Sequence, residues 1–92
     1  GTILITGATG TLGTLLAHHL VTHHHAKNLL LLSRRGPNAP GAQELHTELT
    51  NLGAHITLTA CDITDPNALA TTLTQIPDEH PLTAVIHTAG VL

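Results

Sequence analysis

The chain has 92 residues, a formal charge of −3 and only three Lys or Arg, which excludes a basic face for nucleic acid. It has one cysteine and no Phe, Trp, Tyr or Met, so it has no internal disulfide and its core must be built from Leu, Ile, Val and Ala. Hydrophobic residues make up 41%, enough to argue against disorder, and the longest apolar run, residues 29–32, is far too short to span a membrane.

The elements follow in order. Thr2–Thr6 (TILIT) is apolar without alternation, the pattern of a strand buried on both faces. The stretch TGATGTLG follows at once, with Gly7, Gly10 and Gly13 three residues apart. Leu12, Leu15, Leu16, Leu20 and Val21 then recur at helical spacing, which predicts a helix to about residue 25. Asn28–Ser33 (NLLLLS) reads as a second buried strand. Residues 34–41 hold Gly36, Pro37, Pro40 and Gly41 and read as a loop. Leu45, Leu49 and Leu52 place a helix over 42–52, with Gly53 as its C-terminal glycine.

Residues 54–60 (AHITLTA) read as a third strand and 62–65 as a loop. Asp65 followed by Pro66 predicts an N-cap and a first helical residue. That helix is expected to reach about Gln75, with Leu69 and Leu73 inward. Pro77 and Pro81 bracket a loop, and 82–88 (LTAVIHT) is a fourth strand, with Ala89-Gly90 opening the next turn. The order β-α-β-α-β-α-β with short links predicts a Rossmann-like, doubly wound parallel α/β sheet, of which these are the first four strands.

A strand, a glycine turn and a helix form a pyrophosphate-binding arrangement. The helix N-terminus offers unpaired N–H groups, and glycines let the backbone approach the phosphates. Thr9 and Thr11 can add hydroxyl donors. The spacing is G-x-x-G-x-x-G rather than G-x-G-x-x-G, and the Gly-Lys-Ser/Thr of a P-loop is missing. NAD binders place an acid at the end of the second strand. Here that strand ends Ser33-Arg34-Arg35, which suits the 2′-phosphate of NADP better. Asp62, just past the third strand, reads equally as an acceptor for an adenine amino group or as a local cap.

Nine histidines are present. His19 and His23 have i, i+4 spacing, which can bind zinc, but no Cys or carboxylate joins them there. They read as a polar face near the C-terminal end of the first helix. No metal site is assigned. His87 reads as a strand-end residue rather than a catalytic base.

TGATGTLG, LLLLSRRG, ACDITD and VIHTAG, in this order and spacing, resemble the start of a ketoreductase domain of a modular polyketide synthase, a member of the short-chain dehydrogenase/reductase superfamily. The likeness runs along residues 1–92, and PGAQELHTELTNLGA also resembles the family's second helix. It implies NADPH as hydride donor and a β-ketoacyl chain on an acyl carrier protein as substrate. It implies a cofactor-binding set of Gly7, Thr9, Gly10, Thr11, Leu12, Gly13, Ser33, Arg34, Arg35, Cys61, Asp62, Ile63, Ala89 and Gly90. Within it the glycines take the pyrophosphate, Arg34 and Arg35 the 2′-phosphate, Asp62 the adenine, and Ala89-Gly90 the turn on the cofactor side.

The family's catalytic Ser, Tyr, Lys and Asn are expected beyond Leu92. The chain has no Tyr, and its single Lys is Lys27, so no catalytic residue is assigned. Both ends read as cut, which makes this the N-terminal cofactor-binding part of a domain whose remainder packs on the fourth strand. The resemblance also implies a cytoplasmic synthase. The alternatives are the N-terminal part of an extended short-chain reductase or epimerase, and a non-catalytic NADP-binding remnant.

Overall fold

The computed structural model of the chain describes residues 1–7 and 11–87. Four parallel strands, β1 (Thr2–Thr6), β2 (Asn28–Ser33), β3 (His55–Ala60) and β4 (Leu82–His87), form one sheet in the order β3-β2-β1-β4. The helices α1 (Thr11–His23), α2 (Ala42–Asn51) and α3 (Pro66–Leu73) supply the crossovers. The order steps outward from β1 to β2 to β3 and then returns to the far side of β1. In open parallel sheets ligands bind beyond the C-terminal ends of the strands at such a reversal, here between β1 and β4.

The register runs Leu4↔Leu30 and Ile5↔Leu31 across β1 and β2, and Leu4↔Val85 across β1 and β4. Paired residues of a parallel sheet share a face, so the sheet has two packed sides. Ile5, Leu29, Leu31 and Ile56 meet Ala17 and Val21 of α1 and Leu45 and Leu49 of α2. Leu4, Leu30 and Leu32 meet Cys61, with Ile63, Ala68, Leu69 and Ile76 packed around them. A run of four leucines can sit in β2 because that strand is covered on both faces.

The helix ends follow local chemistry. The carboxylate of Asp65 accepts from the amides of Asn67 and Ala68, and Pro66 opens α3 where no amide donor is needed. Gly53 turns away from α2 at φ 99, a conformation that disfavours a side chain. α1 stops at His23 and α3 at Leu73, each two residues short of the predicted end.

Of the α1 residues at helical spacing, Val21 is buried and Leu20 packs against the core, while others face out. Leu12 and Leu15 of α1 are exposed, at 51% and 63%, while Gly13, Ala17 and Val21 are buried. Small side chains there let the helix lie close to the sheet and push the larger leucines outward. In α3 the inward residue of the last turn is Thr72, not Leu73. The Thr72 hydroxyl donates to the Ala68 carbonyl at 3.0 Å, which satisfies it inside the helix. The loop 34–41 contains a single 3-10 turn at Gly36–Asn38.

Candidate functional site: the C-terminal edge of the sheet

All four strands end on one edge because all are parallel. β1 lies between β2 and β4, so Gly7 sits at the centre of that edge, just past Thr6. Gly7 has φ 66, in the left-handed region where a glycine costs least. Thr9 and Gly10 lie outside the described residues. α1 begins at Thr11, four residues after Gly7, so the helix N-terminus lies at this edge. Gly13 is buried and Leu12 exposed.

The end of β2 brings the basic pair to the same edge. Ser33 is half-buried, and Arg34 and Arg35 are exposed. The Ser33 carbonyl accepts from the Cys61 amide at 2.8 Å, extending the β2–β3 ladder by one bond past Ala60. The Ser33 Oγ accepts from the Gly36 amide at 2.9 Å, which closes a tight turn around the two arginines.

The end of β3 supplies Cys61, Asp62 and Ile63. Cys61 is buried with its side chain in the core, so only its backbone faces the edge. Ile63 is half-buried against the same core. Asp62 is exposed. Its Oδ1 accepts from the Thr64 amide at 3.0 Å and from the Thr64 hydroxyl at 2.7 Å. These bonds, the hydroxyl first, hold its carboxyl below the ordinary value of 3.8, and the Arg34 guanidinium adds a smaller pull in the same direction. Through Oδ1, Asp62 caps the turn that follows β3.

The end of β4 brings His87 to this edge, where its Nδ1 lies 2.6 Å from the Thr6 hydroxyl. Ala89 and Gly90 lie outside the described residues. Two features here were not singled out from sequence. One is this Thr6–His87 contact. The other is Gly36, buried at φ 54, which appeared only as a loop glycine. A glycine directly after an Arg pair was the signal available for it.

The remaining polar features lie elsewhere. A cavity of about 410 Å³, lined by Thr2, Asn28, His55, Gln75 and His80, opens at the N-terminal edge of the strands, away from the glycine turn. The rings of His19 and His23 are 4.7 Å apart, and His18 Nε2 lies 2.8 Å from Glu48 Oε2, tying α1 to α2. Among the described residues no group of three or more His, Cys, Asp or Glu is gathered as a metal site. Nor, among them, is any helix long and apolar enough to cross a membrane.

The sheet order and the loop-lined edge define a Rossmann-like α/β protein. The chain belongs to the KR domain family, whose model matches residues 1–92. It is 59% identical over all 92 residues to polyketide synthase GfsB of Streptomyces halstedii, and 54% identical to mycoketide-CoA synthase of Mycobacterium tuberculosis. It spans 2% of the length of each. Among solved structures it resembles an A-type ketoreductase from a modular polyketide synthase, with a TM-score of 0.94 and 49% identity. That match covers 99% of this chain and 19% of the other. A C2-type ketoreductase matches with a TM-score of 0.87 and 38% identity over 100% of this chain and 19% of the other.

Proposed function

We propose that residues 1–92 form the NADPH-binding N-terminal part of a ketoreductase domain in a polyketide synthase. The domain reduces a β-ketoacyl group on an acyl carrier protein to the β-hydroxyacyl form, in the cytoplasm. The observation that carries this reading is the pair Arg34-Arg35, exposed at the end of β2 on the same edge as the glycine turn. An acid at that place would repel a 2′-phosphate; two guanidiniums pair with it.

The residues present fit such a cofactor. The pyrophosphate is assigned to Gly7, Gly10 and Gly13 and to the amides at the start of α1, helped by the helix dipole, with Thr9 and with Thr11 and Leu12 of the first helical turn as further contacts. Ser33, Arg34 and Arg35 hold the 2′-phosphate. The Ser33 Oγ takes the Gly36 amide on a lone pair and keeps its own proton to donate. Asp62 accepts from the adenine amino group, beside the backbone of Cys61 and the side chain of Ile63. Ala89 and Gly90 line the path toward the nicotinamide ribose.

When bound, NADPH supplies the hydride. This segment orients it and carries no catalytic residue of its own. With no Tyr in the chain, the proton for the developing alkoxide comes from the rest of the domain, which packs on β4.

The test is a titration of a ketoreductase domain carrying this sequence with NADPH and with NADH, followed by nicotinamide fluorescence. Saturable binding that prefers NADPH, with the preference lost in the Arg34→Ala/Arg35→Ala variant, supports the reading. Equal affinity for the two cofactors in the unaltered domain overturns the 2′-phosphate assignment.

A further inference from the structure

We infer that Gly36 is a positioning residue for cofactor choice, acting with Ser33 to fix the backbone that carries Arg34 and Arg35. The inference rests on the reading of those arginines as the 2′-phosphate site.

Arg34 and Arg35 are the two residues between a pair of anchors. On one side, Ser33 is held to β3 by the bond from the Cys61 amide to its carbonyl, at 2.8 Å. On the other, Gly36 is buried against β3. A Cβ built on Gly36 would lie 2.4 Å from the Ala60 nitrogen, 2.8 Å from its Cα and 2.9 Å from the Thr59 carbonyl carbon. All three are backbone atoms of a strand that cannot yield without breaking its ladder to β2. Gly36 also has φ 54, which strains any L side chain.

The anchors are joined to each other. The Gly36 amide donates to Ser33 Oγ at 2.9 Å. Beyond Gly36, the Asn38 amide donates to the Arg35 carbonyl and the Ala39 amide to the Gly36 carbonyl, both at 3.1 Å. Pro37 fixes the first step of that 3-10 turn. The two arginine side chains are long and exposed, but their Cα positions are clamped from both sides. A clamped base reduces the ordering that a flexible cation must undergo to meet a phosphate. A side chain at position 36 lifts the turn off β3 and moves both guanidiniums relative to the β1–α1 turn. The rest of the cofactor edge is left in place.

The test uses a ketoreductase domain carrying this sequence, with kcat and KM measured for NADPH and NADH. Gly36→Ala raises the NADPH KM by about tenfold or more, the scale of one lost charge-assisted hydrogen bond, and changes the NADH KM by less than about twofold. Equal losses for both cofactors, or no change for either, overturn the inference.

Ser33→Ala adds no volume and gives a readout without cofactor, which serves if Gly36→Ala does not fold. Amide exchange at Gly36 and Ala39 quickens in the Ser33→Ala protein, and Ser33→Thr restores protection. Unchanged protection at Gly36 overturns the clamp. Arg34→Ala/Arg35→Ala separates the two levels. If that variant loses the NADPH preference while Gly36→Ala keeps it, the positioning role falls and the proposed function stands. If the arginine variant keeps the preference, the 2′-phosphate reading falls and this inference falls with it.

Discussion

The Thr6 hydroxyl lies 2.6 Å from His87 Nδ1, joining the last residues of β1 and β4 at the edge that carries the candidate site. Thr6 is 5% exposed, so its hydroxyl lies in a buried position. Removing it leaves the ring nitrogen without that partner. Thr6→Val keeps the shape and deletes the polar atom, and is expected to cost about 1 kcal/mol. Urea unfolding of a ketoreductase domain carrying the change gives a lower midpoint at unchanged slope. A midpoint equal to that of the unaltered domain counts against a stabilising role for the contact.

The basic pair makes a second prediction, through ionic strength. If Arg34 and Arg35 meet a 2′-phosphate, part of the NADPH affinity is exposed charge attraction, which salt screens. Raising the salt from about 0.05 M to about 0.5 M weakens NADPH binding more than NADH binding, because the Debye length falls from beyond the site to within it. In the Arg34→Ala/Arg35→Ala variant the two cofactors respond alike. Parallel salt slopes in the unaltered domain argue that the arginines are solvated and bind nothing.

Asp62 makes a third, through pH. Its carboxyl is held below 3.8 in the folded chain, first by the Thr64 hydroxyl, then by the Thr64 amide, with Arg34 contributing least. A depressed folded value means that the stabilisation is fully present above the unfolded value of 3.8 and is lost as pH falls through the folded one. Near neutral pH the group is therefore charged. Thr64→Val removes the larger cause and moves the Asp62 titration back toward 3.8, read from its carboxyl carbon by NMR. An unmoved titration shifts the assignment from Thr64 to the Arg34 charge.

How much of this was legible depends on how local each cause is. β1 and β2 announce themselves because a strand covered on both faces must be apolar throughout. Asp65-Pro66 and Gly53 are legible because caps and left-handed turns are decided by one or two residues. The inner face of α1 was legible only in part: Leu20 and Val21 pack inward, but Leu12 and Leu15 do not. A helix lying close to a sheet favours Gly13 and Ala17 inside, and the distance between helix and sheet is a tertiary fact. The arginines were legible as an exception in a nearly base-free sequence. The clamp beneath them was not, since it depends on where Ala60 of β3 falls beside Gly36, more than twenty residues on in the chain.

β4 supplies the last prediction. It pairs with β1 on one side and, among the described residues, with no strand on the other. Val85 shares the face of Leu4, which is buried, yet is itself 59% exposed. An apolar, unpaired edge strand is a template for association. The 92-residue segment alone is therefore expected to self-associate, and Val85→Lys to reduce its light scattering. In a full ketoreductase domain the sign reverses. If the remainder of the domain packs on β4, the same lysine is buried there without a partner and lowers the urea midpoint. A lysine that improves solubility in the segment and is neutral in the full domain places the next part of the fold somewhere other than on β4.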